Sequence, residues 1–326
     1  MLPVMEPPTF DDVLAARETI APHVHRTPLL LHPLLAARLG AEAWVKHENH
    51  QVTGAFKVRG GVNLVATLSD DERRRGLICV TRGNHGQSLA YAGRRFGVRV
   101  VIVVPEGNNP EKNAAMEAYG GELIVRGRDF NDAMAAAEDT AAEHGCRYVH
   151  SANEPALIAG VGTYGLEIFD DLPEPDYIFV PVGLGSGICG VCTVAEHYQS
   201  RAKIIGVQTE RAPAVTETFR QGRPVRTVTA DTFADGLATR APAELTMAIM
   251  RRRVDDMVLV SEEDLTAAVR TLWQTTHNLA EGAGAAALAA ANQLSAQIAG
   301  KKVVLVLSGG NLDTPSAGAI LSRSTE

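Results

Sequence analysis

VPVGLGSGICG, residues 180–190, reads as a buried-type strand running into a glycine-rich turn and then into a helical pattern. Backbone N–H groups at such a helix start, unobstructed by Cβ atoms, can surround a phosphate and add the positive end of the helix dipole. The plain structural alternative is that the glycines only permit a tight strand-to-helix turn. On either reading the segment is one strand–turn–helix unit, and the same unit recurs on both sides of it. Short β-branched runs stand at 43–48 (AWVKHE), 76–81 (GLICVT), 98–104 (VRVVIVV), 122–126 (ELIVR), 177–182 (YIFVPV), 203–208 (KIIGVQ), 257–261 (MVLVS) and 302–308 (KVVLVLS). Helical patterns lie between them, among them 85–96, 111–119, 130–144, 262–277 and the Ala-rich 283–299, with Ser261 and Asp264 spaced as a capping box. Alternation of this kind predicts an α/β fold of parallel sheets covered by helices, and strands apolar throughout are buried on both faces.

The chain has 326 residues, which favours two domains or one large one. Apolar residues make up 45% and charged residues 21%, proportions of a globular protein and not of a collagen-like, disordered or membrane one. The formal charge of −7 offers no basic excess for a phosphate backbone, so nucleic acid is not an expected partner. No apolar run reaches bilayer length, and MLPVMEPPTFDD at the start lacks the basic and apolar regions of a signal peptide. Four scattered cysteines (Cys79, Cys146, Cys189, Cys192) suit a reducing cytoplasm. Cys189 and Cys192 form a CxxC, but without a second ligand pair it does not make a zinc site.

Two further glycine segments follow directly on strands, TRGNHGQ (81–87) and SGGN (308–311), and in open α/β sheets ligands bind at the carboxyl ends of strands. Gly185, Gly187 and Gly190 match GxGxxG with Glu210 about 25 residues on, which keeps a dinucleotide site open as a competing reading. HENHQVTGAFKVRGG (47–61) weighs against it, because Lys57 stands at the start of a helical pattern beside Phe56. The dipole and the apolar neighbour would both depress the amine pKa and make Lys57 a Schiff-base nucleophile, whereas taken alone it would be an exposed first-turn lysine.

With these motifs assembled, the chain resembles the fold-type II pyridoxal-phosphate enzymes of the threonine/serine dehydratase and serine racemase group, from about RTPLL (26–30) to SGGN. The resemblance implies two open twisted sheets of parallel type flanked by helices, as in tryptophan synthase β, with pyridoxal 5'-phosphate in the cleft between domains. It implies a large discontinuous domain (1–76 and 151–326), a small one (77–150) and a homodimer. AFKVRG (55–60) matches the family's lysine motif, which makes Lys57 the cofactor-binding lysine and gives Phe56 the ring face. TRGNHGQ implies that Asn84 bonds the cofactor's phenolic oxygen, and that Thr81, Gly83, Asn84 and His85 hold the substrate carboxylate. Gly183, Leu184, Gly185 and Ser186, followed by Gly187, correspond to a tetraglycine phosphate loop from which Leu184 and Ser186 depart. FADG (233–236) implies Gly236 on the other ring face, and SGGN implies Ser308 at the pyridine nitrogen.

The implied reaction is α,β-elimination on a 3-hydroxy amino acid such as L-threonine or L-serine, giving a 2-oxo acid and ammonia with Lys57 as base. Ser308, unlike a carboxylate, would not hold the ring nitrogen protonated, which favours elimination over transamination. Serine racemases of the group carry a second Ser where this chain has Arg82, so racemisation is not expected. Arg82 could instead pair with a second substrate carboxylate, as in 3-hydroxyaspartate, or simply with Glu154 or another structural acid. The racemases' divalent-metal acids are replaced by Gln208, Ala212 and Ala214, with only Glu210 nearby, so no metal is expected. Glu281 aligns with a glutamate near the ring, or complements a helix dipole, and Glu154 falls where some relatives contact substrate. The chain ends soon after SGGN, where biosynthetic threonine dehydratases continue into a regulatory domain, so feedback control is not expected. A β-replacement enzyme, an NAD-dependent oxidoreductase and a non-catalytic cofactor-binding sensor are the other readings.

Overall fold

The computed structural model describes residues 5–128 and 130–322, and in it ten strands form two sheets. In chain order they are β1 (Leu29–Leu31), β2 (Glu42–His47), β3 (Leu77–Val80), β4 (Val100–Val104), β5 (Glu122–Val125), β6 (Arg147–Tyr148), β7 (Tyr177–Pro181), β8 (Lys203–Thr209), β9 (Asp256–Val260) and β10 (Lys302–Leu307). The larger sheet has the order β1-β2-β10-β7-β8-β9 and is parallel apart from β1, which runs antiparallel to β2. The smaller, β5-β4-β3-β6, is parallel throughout. All eight strands expected from apolar runs are present, shifted by a residue or two at their ends. β1 and β6 were not expected, and at three and two residues they are too short to carry a pattern.

Period-two alternation sorts the small sheet's side chains. Leu77 and Cys79 pack with the helices Lys57–Ala66 and Asn84–Phe96 on one face, and Ile78 and Val80 pack with the helix Phe130–His144 on the other. One face of the large sheet carries the helix Gly282–Gln293, whose run of alanines from Ala285 to Ala287 and Ala289 to Ala291 is wholly buried. The expected helix 283–299 is broken at Leu294 and resumes as Ser295–Ile298. The other face carries the helices Pro155–Asp171 and Ser186–His197, which approach so closely at Gly162 and Gly190 that a Cβ on Gly190 would stand 2.7 Å from Gly162. The Ser261 capping box forms as expected: Ser261 Oγ accepts from the Asp264 N–H at 3.0 Å, and the Asp264 carboxylate accepts from the Ser261 N–H at 3.1 Å.

The start of the helix Lys57–Ala66 is tied down by buried charge. The Arg59 guanidinium donates to both Glu48 oxygens (2.8 and 2.9 Å) and both Glu167 oxygens (2.7 and 2.8 Å). Lys46 adds an ion pair to Glu167 and donates to the Thr27 carbonyl at 2.7 Å. Burial opposes ionisation of Glu167, but the charges and hydrogen bonds of Arg59 and Lys46 together outweigh it and hold that carboxyl below its ordinary range.

Candidate active site

The strand ends of both sheets open into one cavity of about 730 Å³. The residues to which the resemblance gives cofactor or carboxylate roles, and Arg82 with them, line it: Phe56 and Lys57; Thr81, Arg82, Gly83, Asn84 and His85; Gly183, Leu184, Gly185, Ser186 and Gly187; Gly236; and Ser308.

Lys57 is the first residue of its helix, half-buried at the cavity wall. Its Nζ donates to Ser186 Oγ at 2.7 Å and, at 3.3 Å, to the Ser151 carbonyl, and lies 5.1 Å from the centre of the Phe56 ring. Burial lowers its pKa from the usual lysine value to about 8. The depression expected from the dipole and an apolar neighbour is therefore present, with desolvation as its cause.

Against Lys57, the 183–187 turn forms a donor-rich cradle. Gly185 has φ +100°, a conformation that side chains rarely adopt, and a Cβ on Gly183 would stand 2.3 Å from the Gly236 carbonyl oxygen. The Gly187 carbonyl accepts from Tyr164 and the Leu184 carbonyl from Thr246. The carbonyls thus turn outward, and among the described residues the backbone N–H groups of 183–188 donate to no protein acceptor. Leu184 and Ser186 are accommodated because the left-handed position falls on Gly185, and Ser186 already opens the helix Ser186–His197.

The TRGNHGQ loop begins the helix Asn84–Phe96. Asn84 donates to Glu281 at 2.7 Å and accepts from Asn311 at 2.7 Å, which fixes its amide orientation. His85 is buried with neither ring nitrogen in a protein hydrogen bond of good geometry. Burial, and then the Lys57 charge, lower its pKa to about 3 despite a favourable contact with the Val149 backbone, so its ring is neutral. Glu281 lines the cavity and stands at the start of the helix Gly282–Gln293, without a side-chain bond to that helix end. Burial raises its pKa against the pull of Lys112 and Asn84.

Three placements differ from what the sequence suggested, and Arg82 takes an alternative that the sequence left open, another acid. Glu154 lies outside the cavity, where a 2.7 Å bond to Arg147 ties the start of the helix Pro155–Asp171 to β6. Arg82 does not pair with Glu154; its guanidinium sits 3.8 Å from Asp235. Glu210 is exposed and outside this cavity, and Gly190 serves helix packing, so the GxGxxG spacing does not assemble a ribose-binding site. Lys112, unremarked in the sequence, reaches in from the helix Pro110–Ala118 to bond Asp235 at 2.7 Å. Burial acts against the Lys112 charge, but Glu281 and Asp235 outweigh it and raise its pKa. Nothing in PEKNAAMEA distinguishes this lysine from one on a solvated face; its partner lies 123 residues away.

Among the described residues no group of three or more His, Cys, Asp or Glu is placed to hold a metal, and no helix is long and apolar enough to cross a membrane.

Residues 20–309 match the family model described as pyridoxal-phosphate dependent enzyme. An L-threonine ammonia-lyase of Thermotoga maritima is 39% identical over 316 residues, 97% of this chain and 78% of that one. An L-threo-3-hydroxyaspartate ammonia-lyase of Saccharomyces cerevisiae is 36% identical over 315 residues, 97% of each chain. Among solved structures, a threonine deaminase from T.th. superposes with a TM-score of 0.89 at 36% identity, covering 94% of this chain and 99% of that one.

Proposed function

The chain belongs to the pyridoxal-phosphate-dependent enzymes, and we propose that within them it is an ammonia-lyase acting on a 3-hydroxy amino acid, L-threonine or L-serine, to give a 2-oxo acid and ammonia. The observation that carries this reading is the placement of Lys57 and the free amides of 183–188 together in one cavity, with Ser308 at the end of β10. The named activities of the Thermotoga and T.th. relatives support it.

The residues fit the cofactor. The 183–188 amides would hold its phosphate, where added Cβ atoms on Gly183 or Gly185 would intrude. Phe56 and Gly236 would flank its ring, Asn84 would meet its phenolic oxygen, Ser308 its ring nitrogen, and Lys57 its aldehyde. When bound, pyridoxal phosphate supplies the electron sink for the bond broken at Cα. The chain's own groups do the rest. Thr81, Gly83, Asn84 and His85, at the start of a 13-residue helix, would orient the substrate carboxylate through backbone N–H groups. Lys57, its pKa brought down toward neutrality, would take the Cα proton. Ser308 is a neutral hydroxyl that would leave the ring nitrogen unprotonated.

A second reading, 3-hydroxyaspartate as substrate, has its own observation. Arg82 lines the cavity and holds Asp235 only loosely, because Lys112 takes the other Asp235 oxygen at 2.7 Å. The yeast relative's named activity points the same way. The proposal also includes segments 1–76 with 151–326 and 77–150 as separate domains, a homodimer and a cytoplasmic location. These last follow from the resemblance and from four buried, unpaired cysteines.

The visible spectrum of the purified protein, with 2-oxo acid assayed in the same cuvette, tests the main reading. Wild type should show a cofactor band that shifts with L-threonine or L-serine while oxo acid accumulates, and Lys57→Ala should abolish both responses. A band that shifts without oxo acid would overturn the ammonia-lyase reading.

A further inference from the structure

We propose that Ser186 is a second catalytic residue, whose hydroxyl is the hydrogen-bond partner of the Lys57 amine and sets where that amine stands and how it holds its proton. The inference rests on Lys57 as the cofactor lysine and Cα base, and not on which β-substituent leaves.

Three observations carry it. First, the sequence departs from glycine at this position of the phosphate loop, and the departure places a hydroxyl 2.7 Å from Lys57 Nζ. The only other partner of Nζ among the described residues is the Ser151 carbonyl at 3.3 Å. Second, Ser186 is almost wholly buried and opens the helix Ser186–His197, so its side chain is fixed by its backbone and shielded from competing water. Third, the pair joins two helix starts: Lys57 begins one helix, Ser186 begins another, and the short bond between them sets the reach of the amine. A backbone that needed only amides at 186 would be served by glycine.

A hydroxyl is suited to this task because it can answer both states of the amine. To the ammonium it presents an oxygen lone pair; to the neutral amine it can turn its O–H. When the Lys57 lone pair takes the proton from Cα, the C–H bond breaks, an N–H bond forms, and the C–H electron pair is left to the sink. The new ammonium then donates to Ser186 Oγ, which keeps its own proton. A carbonyl such as that of Ser151 can only accept, and has no O–H to offer the lone pair of the neutral amine. The hydrogen bond from the charged ammonium is the stronger of the two, so Ser186 should favour the protonated amine within a site whose burial disfavours it.

The test compares wild type, Ser186→Ala and Ser186→Thr as holoenzymes. Cofactor content is read from the visible band, and exchange of the L-alanine Cα proton with deuterated solvent is read by NMR across pH. L-Alanine has no leaving group, so exchange reports proton removal alone. Ser186→Ala should keep its cofactor and lose about 10–100-fold in exchange rate, the worth of a hydrogen bond to a charged group. Its rate-against-pH limb should move to lower pH, because the ammonium has lost an acceptor. Ser186→Thr should recover most of the rate. An unchanged rate and limb in Ser186→Ala would overturn the proposal. So would a rate loss that simply tracks cofactor loss, which would make Ser186 part of the phosphate seat. Wild type that exchanges L-alanine but yields no oxo acid from L-threonine or L-serine would overturn only the ammonia-lyase reading; no exchange in wild type would overturn the role of Lys57 and this inference together.

Discussion

Histidines 47 and 85 are neutral for the same reason, removal from water, and the cost of that arrangement appears in acid. Burial, helped by the neighbouring His50 and His32, lowers the His47 pKa to about 3; burial and Lys57 do the same for His85. In the unfolded chain each would titrate near its ordinary value of 6.5. Above that value neither state binds the proton and there is no penalty. As pH falls below it, the unfolded state gains protons that the folded state refuses, so stability declines from there down to the folded pKa. At about pH 5 the loss is about 2 kcal/mol for each such histidine. His47, whose ring shares a 2.9 Å hydrogen bond with His32 and takes no part in the cavity, is the one to replace. His47→Asn should flatten the fall of Tm between about pH 7 and about pH 5, measured by calorimetry; an equally steep fall would refute the assignment. The sequence could not disclose this. His47 reads there as one residue of a strand-to-loop run, and its ring partner His32 follows β1, which the pattern did not reveal.

Elements were more legible than residues. Strands buried on both faces declare themselves as uninterrupted apolar runs, and glycine turns that end them mark the side on which ligands bind; the candidate site was readable from three such loops together with AFKVRG and FADG, whose roles came from the family resemblance. What stayed hidden was contributed by partners distant in sequence: Lys112 with Asp235, and Arg59 with Glu48 and Glu167, whose meaning is purely tertiary. The 183–187 turn gives the sharpest prediction at this scale. Gly185 has φ +100°, and a Cβ there would stand 3.1 Å from Thr246. Gly185→Ala therefore forces about 1–3 kcal/mol of backbone strain or moves the amides off their aim. Absorbance titration should show weaker pyridoxal phosphate binding, with the Lys57-linked band still formed at saturating cofactor. Unchanged affinity would show that these amides are not the phosphate seat.

Across the whole molecule, the two sheets are bridged over the cavity by polar contacts. Lys112 and Arg82, from the side of the small sheet, converge on Asp235, and Asn84 reaches Glu281 and Asn311. Glu111 accepts from the Thr314 backbone at 3.2 Å. Because Asp235 is shared, a substrate carrying a second carboxylate would compete for Arg82 and not for the better-held Lys112. Arg82→Ala should accordingly lower kcat/KM for 3-hydroxyaspartate by about tenfold or more while changing that for L-threonine little. Equal effects on both substrates would reduce Arg82 to a partner of Asp235.

The helix Gly282–Gln293 begins at Glu281, in the cavity, and is built over most of its length from alanine. A methyl group has no rotamers to surrender on folding and none to explore afterwards. The segment beneath the site therefore stores almost no side-chain motion. Warming should agitate the loops above it well before the floor, so Glu281 and, through it, Asn84 keep a fixed reference while their surroundings fluctuate.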